Sequence, residues 1–254
     1  MTSDATKPSG RNANAIEKLR ELIAPARVVL WDFDGPICRL FARHTAERVA
    51  TELVDWLESR GLHGLVTGGE PGSPDPRTVL RAVDRRRPGS DLVAELEERL
   101  TQEELRAAVS AMPTAYADPL IRTWTAVGAR LAVTTDNSPR AVRAYLGSRG
   151  LTGCFEPRVY GRATGPRPLG TGPHRLERAL GDTGSAPAAA LVIGGSVSDL
   201  AAAADAGVPF LGYARNEREA EPLRSAGAVC VAGSLEPVLR VLRDGRSGPT
   251  APFA

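Results

Sequence analysis

The chain is 254 residues long, 42% hydrophobic and 24% charged, enough to bury a core as one domain with at most a modest insertion. Disorder throughout, collagen-like repetition and a disulfide-framework miniprotein are excluded. Its 32 basic and 30 acidic residues nearly cancel and no Lys/Arg run concentrates them, so nucleic acid is not an expected partner. Nor does any stretch reach the roughly 20 apolar residues a membrane helix needs, so no membrane association is expected.

Residues 1–20 are polar and lack an apolar signal-peptide core, and Cys38, Cys154 and Cys230 are far apart with no CxxC pair. A cytoplasmic protein without structural zinc is the expectation. The only lysines are Lys7 and Lys18, so any fixed cation in the body of the chain has to be an arginine.

In chain order, residues 1–24 read as a flexible lead running into a short helix at 15–23, ended by Pro25. Val28-Val29-Leu30-Trp31 is a short, apolar, β-branched run, the pattern of a strand buried on both faces. Residues 43–118 carry helical stretches at 44–60, 77–84, 90–100 and 103–111 and no strand signal, with a Gly/Pro-rich loop at 68–74. Beyond them, strand runs at 131–135, 158–160, 190–193 and 209–213, and a weaker one at 228–231, alternate with helices at 139–149, 173–180, 198–206 and 216–226. That alternation predicts an α/β fold, a parallel sheet wound by crossover helices. A helical insertion after the first strand would hang over the carboxyl edge of the sheet as a cap. The expected division is a core at 25–42 and 119–245, a helical cap at 43–118, and a flexible tail at 246–254.

The chemistry gathers at the strand ends. Trp31-Asp32-Phe33-Asp34-Gly35-Pro36 places two carboxylates where the first strand emerges. A turn at Gly35 can aim both toward one pocket, where one acid stays ionised and the other takes a raised pKa; the alternative is that the pair only caps or turns the chain. Thr134-Thr135-Asp136-Asn137-Ser138-Pro139 puts a hydroxyl at a strand end before an N-cap and a first-turn proline, a place where a phosphate oxygen can be held. Gly194-Gly195-Ser196-Val197-Ser198-Asp199 is a glycine turn with an acid at the next helix start.

The order strand-DxDG, helical insertion, strand-Thr, then strand-Gly-x-Ser-x-x-Asp followed by Ala-Gly-Val-Pro at 206–209 resembles the haloacid dehalogenase superfamily of phosphohydrolases. The resemblance spans 28–231 and implies a Rossmann-like core with an inserted all-helical cap. It implies Asp32 as nucleophile, Asp34 as acid/base, Thr135 as a phosphate-binding hydroxyl, and Mg²⁺ held by Asp32, Asp34 and Asp199. The family's third motif is a cation followed by Pro, which favours Arg167 before Pro168, with Arg162 and Arg175 as alternatives. The fourth motif departs: where the family carries a metal-binding Asp, this chain has Gly195, so that either water completes the metal shell or the protein binds a phosphorylated ligand without turning it over.

Other chemistries find less support. His44, His63 and His174 have no metal-ligand spacing, Ser196 is in no GxSxG elbow, and no GxGxxG occurs. The run Arg85-Arg86-Arg87 reads as a solvated helix end, with contact to an anionic substrate as the alternative. The expectation is a hydrolase of a small phosphorylated metabolite, acting through an aspartyl-phosphate with Mg²⁺ as a monomer or homodimer. An impaired binding or regulatory protein, a phosphomutase and a dehalogenase are the alternatives.

Overall fold

The computed structural model describes residues 10–64, 75–162 and 172–245. The expected loop at 68–74, the tail at 246–254 and Arg167 lie outside the described residues. In order, the elements are α1 (Gly10–Ile23), β1 (Val28–Trp31), β2 (Cys38–Arg39), α2 (Ala46–Ser59), α3 (Pro76–Arg86), α4 (Asp91–Ser110), β3 (Met112–Pro113), α5 (Ala117–Ala126), β4 (Arg130–Thr134) and α6 (Pro139–Ser148). They continue with α7 (Thr152–Phe155), β5 (Val159–Tyr160), α8 (Gly172–Thr183), β6 (Ala190–Gly194), α9 (Val197–Asp205), β7 (Phe210–Tyr213), α10 (Glu217–Ser225), β8 (Val231–Ala232) and α11 (Glu236–Asp244).

Six strands form one parallel sheet in the order β5-β4-β1-β6-β7-β8. All four residues of β1 are buried, and their side chains alternate between two cores as the pleat requires. Val29 and Trp31 join one apolar cluster with Leu131, Val133, Leu191 and Ile193, covered by α1, α5, α6, α7 and α11. Val28 and Leu30 join the other with Ala132, Ala190 and Val192, covered by α8, α9 and α10. Burying side chains of this size contributes about 1.5–3 kcal/mol each. Trp31 meets Trp124 of α5 edge-on at 5.7 Å, which fixes α5 against the central strand.

Helices α2 and α3 and the first half of α4 share a third cluster around Leu53, Leu57, Leu80 and Leu96. Further along α4, Ala107 and Ala108 belong to the main core. The two helices expected at 90–100 and 103–111 are therefore one continuous element. The stretch read as strandless holds β3, which pairs antiparallel with β2 and closes a short ribbon at the base of the helical lobe. The helix expected at 15–23 is present but starts earlier, as α1 from Gly10, and it seats Leu19 and Ile23 in the main core where a flexible segment was expected. No helix of the described residues is long and apolar enough to cross a membrane.

Candidate active site

Strand β1 has β4 on one side and β6 on the other, so consecutive crossovers leave it in opposite directions. The crevice at its carboxyl end is where open α/β sheets place ligands. Trp31 pairs with Val133 of β4 and Ile193 of β6 and Asp32 N donates to Ile193 O at 2.8 Å, which brings the ends of β1, β4 and β6 to one level. Phe33 is fully buried, edge-on to Tyr145 at 5.4 Å, and this anchor leaves Asp32 and Asp34 on the opposite side. Gly35 turns the chain with φ +122°, a conformation open to glycine and strained for other residues. Its carbonyl accepts from Thr114 Oγ1 at 2.5 Å, tying the turn to the segment after β3.

A cavity of about 400 Å³ lies over this edge, lined by Asp32, Asp34, Thr135 and Asp199 together with Asp75, Arg77, Arg81, Asp136 and Arg175. Four of the five expected site residues are thus brought together, and the fifth, Arg167, is outside the described residues. Burial raises the pKa of Asp32 well above the ordinary carboxylate value, and Asp199 and Asp34 add repulsion. Asp34 is raised by burial and partly held down by Arg77; its Oδ1 accepts from Leu40 N at 3.0 Å. Asp199, also raised by burial, turns its Oδ2 back to accept from Gly195 N at 3.1 Å, Ser196 N at 3.0 Å and Ser196 Oγ at 2.7 Å. With Ser196 it forms a capping box. Thr135 is buried and its hydroxyl donates to Asn137 Oδ1 at 3.0 Å, so the same group that lines the cavity also holds the following turn.

The cations differ from expectation. Arg162 is buried away from the cavity, with Nε 3.2 Å from Glu97, Nη1 2.8 Å from Glu104, and Nη2 3.1 Å from Thr101 Oγ1. It joins α4 to the segment after β5 and does not line the cavity. Arg175 does line the cavity and pairs with Asp136. Two further arginines come from the first half of α3. Arg77 Nη2 is 3.5 Å from Asp34 Oδ2 and its Nε 3.0 Å from Asp75 Oδ1, while Arg81 Nη1 is 3.2 Å from Asp136 Oδ2. Burial opposes the charge on Arg77, but Asp75 and Asp34 outweigh it and raise its pKa. Sequence reasoning missed both; the available signal was the Asp75-Pro76 cap and first turn, which starts a helix at an arginine. The triplet Arg85 to Arg87 at the other end of α3 is exposed, and His44 pairs with Glu103 at 2.8 Å, as ordinary surface residues do.

Mg²⁺ can be tested against these donors. Asp32, Asp34 and Asp199 are hard oxygen ligands of the kind it takes, and a divalent ion would relieve their mutual repulsion. Among the described residues no three acidic, His or Cys side chains converge into a ready cage. The donors suit the ion in kind.

A doubly wound parallel sheet thus presents a carboxylate pair at its switch point, where such α/β folds bind their ligands. Residues 26–207, well over half of the chain, match the haloacid dehalogenase-like hydrolases, and the chain belongs to that family. Solved structures of similar fold include a predicted phosphatase from Clostridium acetobutylicum (17% identity, TM-score 0.63, covering 86% of this chain and 99% of that one). A predicted phosphoglycolate phosphatase from Haemophilus somnus (15%, TM-score 0.60, 85% and 98%) is similar too. So is CbbY from Rhodobacter sphaeroides, solved with xylulose-(1,5)bisphosphate (19%, TM-score 0.60, 82% and 94%). No curated relative is similar enough in sequence to match the chain.

Proposed function

We propose that the chain hydrolyses a small phosphate monoester through an aspartyl-phosphate, with the helical lobe α2–α4 acting as a cap over the site. The observation that carries this reading is the placement of Asp32 and Asp34 on one side of the β1 terminus, in a cavity with Thr135 and Arg175. Asp32 accepts a backbone hydrogen bond from Phe33 and no side-chain donor among the described residues, which leaves lone pairs for attack on phosphorus. The P–O bond to the leaving group breaks as the Asp32–P bond forms. Asp34, whose pKa burial raises, gives its proton to the departing alkoxide and then takes one from the water that cleaves the phosphoenzyme. Arg77 and Arg175 offset the charge brought by the phosphate. Mg²⁺, when bound through Asp32, Asp34 and Asp199, would supply the remaining positive charge and favour ionised Asp32. The similar folds described as phosphatases support this reading.

The test is phosphate release from a panel of phosphate monoesters with and without Mg²⁺. Wild type is expected to turn over at least one, and Asp32→Asn to lose that activity while melting normally. Full activity in a well-folded Asp32→Asn protein would overturn the mechanism. A second reading, a protein that binds a phosphorylated ligand without hydrolysing it, is favoured by Gly195 and by the capping bonds that occupy Asp199. It predicts phosphate-ester binding with no release at any Mg²⁺ concentration.

A further inference from the structure

On the other side of the Arg77–Asp34 contact lies a second cavity, of about 470 Å³. It shares Asp34, Asp75 and Arg77 with the first, but Asp32 and Thr135 line only the first, and Arg39, Gly195, Tyr213 and Arg215 only the second. The nucleophile of the proposed reaction thus faces one cavity, while the leaving-group acid borders both. A substrate with its phosphoryl group at Asp32 and its leaving oxygen at Asp34 would extend into the second cavity.

The charges there are unequally matched. Arg77 is paired with Asp34 and Asp75, and Arg215 with Glu219, its Nε lying 3.2 Å from Oε2. Arg39, held on the β2 ribbon, makes no salt bridge among the described residues; it and Arg215 both act electrostatically on Tyr213. Arg39 is thus the arginine of this cavity left without a carboxylate partner among the described residues. Gly195 contributes to the same end. A Cβ there would stand 3.5 Å from the Tyr213 carbonyl, so an acid at this position would bring negative charge to the wall of this cavity, and glycine does not.

We propose that this second cavity is a subsite for a second anionic group, a carboxylate or a phosphate, on the leaving-group half of the substrate, with Arg39 as its principal donor and Arg215 beside it. Arginine presents a planar fork of donors matched to either group. The proposal rests on the hydrolase reading for the position of the ester, and it names the substrate class as a phosphate monoester with a second anion a few bonds away.

The experiment is calorimetric binding to the full chain carrying Asp32→Asn, which prevents turnover. Propyl phosphate, 3-(phosphonooxy)propionate, propane-1,3-diol bisphosphate and propionate are the probes. The two dianionic-plus-anion esters are expected to bind roughly tenfold or more tightly than propyl phosphate, the scale of one charge-assisted hydrogen-bond pair. Adding Arg39→Met should remove that preference and leave propyl phosphate within about twofold, with Arg215→Met as the milder second variant. The ester that gains more identifies the group as carboxylate or phosphate. Equal affinity for all three esters, or a preference untouched by both arginine variants, overturns the subsite and leaves the hydrolase reading standing. Arg39-dependent binding of propionate with no binding of propyl phosphate supports the anion site and overturns the hydrolase reading. Failure of every probe overturns both.

Discussion

Gly195 is the residue on which the metal chemistry turns. Its neighbour Gly194 has no room for a side chain, since a Cβ there would lie 2.6 Å from the Asp199 Cβ, whereas at Gly195 the nearest atoms are at 3.5 and 3.9 Å. Gly195→Asp should therefore fold. It would also add a carboxylate beside the Tyr213 carbonyl, in a crevice shared with Asp34, whose pKa burial already raises. In chelator the variant should melt below wild type, because another buried negative charge is costly. Saturating Mg²⁺ should reverse that difference, because an ion bound only by the folded state stabilises it by mass action. Calorimetric Mg²⁺ affinity should rise by about tenfold or more, as expected for one added carboxylate ligand. Unchanged Mg²⁺ affinity, with melting insensitive to the ion, would place the metal elsewhere. The carboxylates themselves were legible in sequence because Asp32 and Asp34 are neighbours, so one strand and one turn position both. Arg77 and Arg81 were not, since their place depends on how α3 folds back over the sheet, and nothing local to residues 77–81 records that.

At the scale of elements, α4 shows how a buried polar network hides in a sequence. Glu97, Thr101 and Glu104 are buried on the inner side of the helix, where a polarity pattern assigns solvent, so the apolar stripe stops and restarts. That interruption is why one 20-residue helix reads as two. What they bury against is Arg162, which also donates to the Asp136 carbonyl at 2.9 Å, while Glu104 accepts from Asn137 Nδ2 at 3.0 Å and Ser138 N at 2.7 Å. The network thus fixes the turn that follows β4, and with it Thr135. Breaking a buried ion pair from one side leaves the other charge uncompensated, at a cost of about 3–5 kcal/mol. Arg162→Ala is expected to lose that much in urea unfolding. Arg162→Ala combined with Glu97→Gln should recover part of it, because the stranded charge is reduced. A loss below about 1 kcal/mol for Arg162→Ala would mean that water enters the network and that it does not tie α4 to the turn. Helix α5 also went unpredicted, although Ala117, Leu120, Ile121 and Trp124 stand at helical spacing on its buried side, and the two-residue strands β2 and β3 are too short to leave a pattern.

Across the whole molecule, the apolar side chains divide into the two faces of the sheet and a separate cluster in α2, α3 and the first half of α4. The parallel sheet was legible because its strands are buried on both faces and read as continuous apolar runs, and the boundary of the helical lobe was less so because α4 takes part in both cores. This division has a consequence for stability. The helical lobe meets the sheet edge partly through ion pairs, and the more exposed of them, Arg81–Asp136, is worth little where solvent reaches it, so α2 and α3 should open at lower free energy than the sheet. Leu53 is 2% exposed inside the lobe cluster and Leu120 fully buried in the main core; replacing either by Ala should cost about 2–5 kcal/mol locally. Native-state hydrogen exchange separates the two. Leu53→Ala should speed exchange throughout α2 and α3, leave β1 and β4 unchanged, and affect α4 least near Ala107, where the main core holds it. Leu120→Ala should speed exchange in β1, β4 and the lobe together, because loss of the sheet removes the surface on which the lobe rests. If Leu53→Ala accelerates β1 and β4 as much as α2, the lobe and sheet unfold as one unit, and the third cluster is an extension of the core with no opening of its own.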